Sequence, residues 1–241
     1  MAQRLRGRHG YSADAPFTVT MHSERLLVPI HWRKPRMIFV CSMGDLFHPQ
    51  VSLHFIHKVF AVMAMGFCAH HIFQILTKRP DRMAYFANTY VDRDVGDGKT
   101  TWGMRWPQNV WAGTSVESAK YLPRLDMLAG VPAKVRFVSC EPLLGPLNLI
   151  PWLDTYDGIH TLFERVGSQV HFVGQPLHWV IVGGESGSGY RPMETQWVES
   201  IVHFCGMFHV PVFVKQASGL LPGMQGDLPD DLWGVKERPC P

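Results

Sequence analysis

The sequence predicts an α/β protein built on a parallel sheet. Short apolar runs rich in β-branched and aromatic residues alternate with segments whose apolar residues recur at helical spacing, which is the order of βαβ units. Five of those runs stop at a polar or glycine-rich cluster: VCSMGDLFH (Val40 to His48), ILTKRPDR (Ile75 to Arg82), AGTSVES (Ala112 to Ser118), VSCEPLLGP (Val138 to Pro146) and VGGESGSG (Val182 to Gly189). Parallel β/α folds hold their ligands at the carboxyl ends of their strands, so the recurrence points to one shared site.

Each element has its own signal. Arg36 to Ser42 (RMIFVCS) reads as a strand, and Gln50 to Met65 follows with helical periodicity and Pro49 suited to its first turn. His71 to Thr77 is the next strand, followed by a helix over Arg79 to Thr89 with Pro80 at its start. Asn109 to Ser115 and Val116 to Ala129 repeat the order, with Ser115 placed as an N-cap. Val135 to Cys140, Trp179 to Gly183 and Val210 to Val214 supply three more strands, and a helix over Glu194 to Phe208 separates the last two. Nearly continuous apolar strands such as WVIVG suit a sheet covered on both faces. The domain is expected over residues 1–216, with insertions near 90–108 and 147–176 and a loop-rich tail over 217–241. Leu232 and Trp233 are positioned to order part of that tail.

Composition narrows the class. With 241 residues, 46% hydrophobic and 18% charged, the chain is of ordinary globular type and long enough to bury a core. No apolar run is long enough to span a bilayer and the basic start MAQRLRGRHG lacks an apolar signal segment, so no membrane and a cytoplasmic location are expected. A net charge of +3 does not by itself argue for nucleic acid. The local clusters Arg4, Arg6, Arg8 and His31 to Arg36 read as solvated surface. Cys41, Cys68, Cys140, Cys205 and Cys240 form no C-x-x-C pair and read as reduced thiols, with Cys41 and Cys140 expected as small buried groups at strand ends.

The strand ends carry the candidate chemistry. Asp45 and His48 are able to bind a metal or move a proton, or to cap the helix near Pro49. Lys78 and Arg79 precede a helix start, where a phosphate or carboxylate would meet both cations and free N–H groups. Glu117 either serves the site or completes a helix start. Glu141, directly after VRFVSC, has no capping role and is the best single acid. Gly183 and Gly184 allow close backbone approach or unusual dihedrals. Glu185 and Arg191 are opposite charges able to pair with each other, and Lys215 extends the pattern to a sixth strand. The segment lacks a P-loop and a G-x-G-x-x-G spacing, and no G-x-S-x-G elbow occurs.

Jointly, FVCSMGDLFH, FQILTKRPDRM, NVWAGTSVES, VRFVSCEPLLGPL, WVIVGGESGSGYRPM and PVFVKQ resemble the motifs of an uncharacterised phage-associated family marked by three cysteines. The barrel of that family is similar to that of radical S-adenosylmethionine enzymes. The resemblance runs from Met1 to about Gln216. It implies a partial TIM-like (β/α) barrel in which a reduced 4Fe-4S cluster cleaves S-adenosylmethionine to a radical that takes hydrogen from the substrate. By their strand-end positions Asp45 and Glu141 are the candidate catalytic groups, Gly183, Gly184 and Glu185 are placed near the cofactor, and Lys78, Arg79, Glu117, Arg191 and Lys215 toward the substrate.

One departure from that pattern matters. The resembled proteins place a first strand and three closely spaced cysteines ahead of a helix like MAQRLRG, at which this chain begins. The expectation is therefore a late-placed start or a truncated or cluster-free relative, with no cofactor in the chain as given and both cofactors in a full-length form. A missing first strand would also leave the strand near Arg36 at an open edge. The leading reading is a radical S-adenosylmethionine-type enzyme, or a decayed one, with a small-molecule or nucleic-acid substrate. The alternatives are a non-catalytic nucleotide or nucleic-acid binding module and a metal-dependent hydrolase using Asp45, His48, Glu141 and Glu185.

Overall fold

The computed structural model describes residues 7, 13–15, 18–90, 106–153, 164–166, 169–171 and 177–240. Arg4, Arg6 and Arg8, and most of the two expected insertions, lie outside the described residues. Among the described residues eight strands and six α-helices follow in chain order: β1 (Met37–Val40), α1 (Leu53–Ala64), β2 (Ile72–Thr77), α2 (Pro80–Tyr90), β3 (Val110–Ser115), α3 (Pro123–Ala129), β4 (Arg136–Cys140), α4 (Ile150–Leu153), β5 (Glu164–Val166), β6 (Gln169–His171), β7 (Trp179–Gly183), α5 (Thr195–Met207), β8 (Val212–Gln216) and α6 (Asp230–Trp233). β5 and β6 pair with each other in an antiparallel hairpin.

The other six strands form one parallel sheet in the order β1-β2-β3-β4-β7-β8, curled into a half-barrel. Each strand therefore lies beside the strand before it, and the order never reverses as it does in a doubly wound sheet. Period-2 alternation divides the sheet into two faces. Phe73, Ile75, Val110, Ala112, Val138, Cys140, Val180, Val182, Val212 and Val214 enter the main core, together with Ile56, Phe60, Met83, Leu125, Val198 and Ile201 from the helices. The opposite, concave face carries a separate cluster of Trp111, Val135, Phe137 and Trp179, with Ile72, Leu76, Ile181 and Phe213 packed on it. WVIVG thus serves two different surroundings rather than two helical layers.

Gly113 shows how that concave face closes on itself. It pairs in register with Phe137, and a Cβ at Gly113 would overlap the Phe137 ring. Phe137 and Trp111 then meet Trp179 at centroid distances of 5.6 and 6.0 Å. Such aromatic pairs contribute about 0.5–1.5 kcal/mol each beyond their buried area.

Several boundaries differ from the sequence expectation. α1 begins after Ser52, whose Oγ accepts from Phe55 N at 3.2 Å, so Pro49 lies in the preceding turns rather than in the helix. The helix expected over Val116 to Ala129 starts only at Pro123, after a 3₁₀ turn over Ala119–Tyr121. Proline inside a helix removes a donor and clashes with the preceding turn, so it falls at the start instead. Ser115 consequently stays in β3 and caps nothing. β8 begins at Val212 and runs on through Gln216, opposite Gly183.

The tail is more ordered than a loop. Val214 N donates to Val235 O and Glu237 N to Val212 O, at 2.9 and 2.8 Å, so residues 235–237 cover the free edge of β8. Trp179 Nε1 donates to Glu237 O at 3.0 Å, and Val212 N to Glu237 Oε2 at 3.0 Å. At the other edge β1 pairs with β2 alone in the sheet, with Met37 and Phe39 exposed. No helix among the described residues is long and apolar enough to cross a membrane.

Candidate functional site

The carboxyl ends of the strands carry a row of carboxylates, each met by a basic side chain. Asp45 leaves the β1 loop and accepts from Phe47 N (2.9 Å), Thr77 Oγ1 (2.7 Å), Lys78 N (3.2 Å) and Arg79 Nη1 (2.6 Å). Those four donors fill the acceptor capacity of a carboxylate, so Asp45 ties the β1 loop to the end of β2. It does not cap α1, and His48 Nδ1 accepts from Gln50 N at 3.2 Å.

Glu117, 5% exposed, follows β3 and pairs with Lys78 Nζ through Oε1 and with Arg124 Nη1 through Oε2 at 3.0 Å. Arg124 Nη1 also donates to Ser115 O at 2.7 Å, while its guanidinium stacks over Tyr121 at 4.1 Å. Burial pushes the Glu117 carboxyl up, but the bond and charge of Lys78, backbone bonding and Arg124 outweigh it, and the net shift is downward. Both cations of the Lys78–Arg79 pair are thus answered by carboxylates of the chain itself.

Glu141 stands beyond β4 in a different setting. Ser139 Oγ donates to its Oε2 at 3.0 Å and Lys215 Nζ of β8 lies 3.0 Å from its Oε1. Gly183 of β7 makes room for that carboxylate, because a Cβ there would stand 3.0 Å from Glu141 Oε1. Gly184 answers a separate need: a Cβ would overlap Ser218 N and Oγ, so this glycine lets the 217–218 backbone pass close by. Beyond it Glu185 binds Arg191 through contacts of 2.8 and 2.9 Å, and that guanidinium holds the carboxyl down to about 2. Both residues of this pair are surface groups, and the sequence reading that they pair with each other matches the contact.

Glu141 and Lys215 line a cavity of about 590 Å³ on the concave face. Ser42, Ser115 and Ser139 join them, over a floor that includes Trp179 and Phe213. The volume lies in the range of small-ligand pockets, and the mixture of apolar wall with a few convergent polar groups is what such pockets use. Gln74 also lines it, 7% exposed, and its Nε2 has no hydrogen-bond partner among the described residues. An unpaired buried amide costs about 1–3 kcal/mol, so the cavity wall holds hydrogen-bonding capacity that the described residues leave unmet. Asp45, Arg79, Glu117, Glu185 and Arg191 do not line this cavity.

Sequence reasoning found Glu141 and Lys215 but missed Gln74, Ser115 as a lining group, Ser139, Trp179, Phe213 and Arg238. Counting back in steps of two from Glu141 and Lys215 reaches Ser139 and Phe213, so the strand period held part of the signal. Nothing local marks Gln74 or Arg238.

The thiols do not fit an iron–sulfur cluster. Cys68, Cys140 and Cys205 are buried, whereas Cys41 and Cys240 are exposed. Cys140 faces the helical core, where burial pushes its thiol well up, and burial followed by Glu237 pushes Cys205 up to about 12. Cluster ligands are thiolates, which these surroundings disfavour. Cys41, expected as a buried group, instead sits exposed at φ 57° in the turn after β1. Among the described residues no group of three His, Cys, Asp or Glu side chains could hold a metal ion.

Residues 1–225 match the family described as "Protein of unknown function (DUF5131)", and the chain belongs to that family. No curated protein matches the chain, and no solved structure matches it.

Proposed function

We propose that this member of the family is a phage-associated relative of the radical S-adenosylmethionine barrels that binds S-adenosylmethionine in the concave cavity. The observation that carries this reading is the Glu141–Lys215 pair at the mouth of an aromatic-floored cavity. A carboxylate and an ammonium side by side complement the ammonium and carboxylate of an amino-acid head group, each exchanging its internal partner for a ligand partner. Ser139, already bonded to Glu141, fixes the orientation of that carboxylate. Trp179 and Phe213 line the cavity and supply aromatic surface for a planar base. The consecutive parallel strand order and the placement of the polar groups at the carboxyl ends support a TIM-like origin for the half-barrel. When bound, S-adenosylmethionine supplies a sulfonium centre from which an alkyl group can leave.

Isothermal titration of the purified chain with S-adenosylmethionine tests the reading. The wild type should bind, and Glu141→Gln and Lys215→Met should each weaken binding by about tenfold or more, because each removes a charge-assisted bond. Absence of binding to the wild type, or wild-type affinity in both variants, would overturn it. The nucleic-acid reading drew on the Lys78–Arg79 pair, and with both cations held by Glu117 and Asp45 no observation favours it over the cavity. The metal-dependent hydrolase likewise finds no ligand cluster among the described residues to support it.

A further inference from the structure

We propose that Arg238 and Gln74 make the same cavity selective for a heterocyclic anion of the nucleoside phosphate class, as substrate or second ligand. This rests on the reading of the cavity as a ligand site. Of the charged groups that line it, Glu141 is answered by Lys215, which leaves Arg238 as the excess positive charge. Arg238 forms no salt bridge among the described residues; its guanidinium lies 5.3 Å from the centre of the Phe213 ring.

Its position is fixed from behind. The preceding residue, Glu237, is pinned to β8 and β7 by bonds from its N–H to Val212 O, from Val212 N to its carboxylate and from Trp179 Nε1 to its carbonyl. Arg238 therefore stands at the beginning of β8, while Lys215 stands near its end. The strand rise puts roughly 10 Å between the backbone of Val212 and that of Lys215. A ligand anchored at the Glu141–Lys215 end thus leaves a second charged position over the aromatic floor. A guanidinium presents a planar fork of donors that suits phosphate. The unpaired Gln74 Nε2 adds a buried donor on the wall, which favours a ring carrying an acceptor nitrogen or oxygen over a plain hydrocarbon ring. Arg238 also lies beyond residue 225, where the family match ends, so this cation is contributed by the chain's own tail.

The test is titration of the full chain with AMP, adenosine and inorganic phosphate, read by calorimetry and by tryptophan fluorescence. AMP should bind at least tenfold tighter than adenosine to the wild type. Arg238→Gln should abolish that difference without changing adenosine affinity, and Gln74→Leu should weaken AMP and adenosine alike. Thermal melts of both variants check folding; should Gln74→Leu fail to fold, Arg238→Gln at the exposed tail still decides. Equal binding of AMP and adenosine, no AMP binding at all, or unchanged AMP affinity in Arg238→Gln would overturn the proposal. Phosphate binding as tightly as AMP would overturn it too, since the ring would then play no part. Loss of AMP selectivity with S-adenosylmethionine binding intact strikes this inference alone, whereas Arg238-dependent AMP binding without S-adenosylmethionine binding strikes only the preceding one.

Discussion

At the carboxyl ends of the strands Asp45, Glu117, Glu141 and Glu185 each meet a basic side chain, whereas at the amino ends Arg136 is 2% exposed and forms no salt bridge among the described residues. Arg136 is held by carbonyl dipoles instead: its Nη1 donates to Val131 O and Ala133 O at 2.9 and 2.8 Å, and its Nε has no partner among the described residues. Burial brings its pKa down to about 10. Nearby, burial and then the charge of Arg136 push His178 down to about 4, while its Nδ1 accepts from Arg136 N at 3.1 Å. The contrast teaches where function has room to act. Paired side chains at one end can change partners when a ligand arrives, while a guanidinium locked to backbone carbonyls behind α3 can only hold the fold.

The sharpest way to break this comparison is to remove one cation from each end. Arg136→Met leaves two carbonyls without their donor but ends the burial of a charge, for a net loss of about 2 kcal/mol in urea unfolding. Lys78→Met should change stability by less than about 1 kcal/mol, because Lys78 is half exposed and Arg124 still faces Glu117. Equal losses at the two sites would show that the ends do not differ in this way.

A separate effect should appear in the acid range. Unfolded His178 takes up its proton near 6.5 and the folded one only near 4, so between those values the unfolded state binds more protons. Stability contributed by neutral His178 is therefore complete above 6.5 and is lost as pH falls toward 4. His178→Asn should flatten the stability profile in that window, measured by urea midpoints at successive pH values. Glu117, with its lowered pKa, contributes stability that disappears only at lower pH, below the ordinary carboxylate range. An unchanged slope in His178→Asn would remove the histidine from the account.

The smallest effect belongs to Glu185. Its bond to Arg191 joins two residues close in sequence at the surface, and Glu185→Gln should leave the unfolding midpoint within error in spite of the low pKa. A clear drop would mean that this surface pair does more than link its own loop.

Much of the sheet was legible because alternation and strand-end punctuation are local. Trp179–Gly183 has the expected bounds, and β2, β3 and β4 each begin one residue after the expected start. Helix starts were less legible. Ser52 and Pro123, rather than Pro49 and Ser115, mark them, and the competing signals stand only a few residues apart. Glu141 and Lys215 were visible as strand-end charges, but that they stand 3.0 Å apart depends on β4 and β8 flanking β7.

The sequence by itself determined the alternation of strands and helices and which strand ends carry charge, since each follows from short-range pattern. Only the tertiary structure decided which charges face one another, which glycine admits a carboxylate and which a backbone, and that the tail carries Arg238 into the cavity. Those depend on strand order and register, which bring residues far apart in the chain within bonding distance, and no local propensity encodes such a distance.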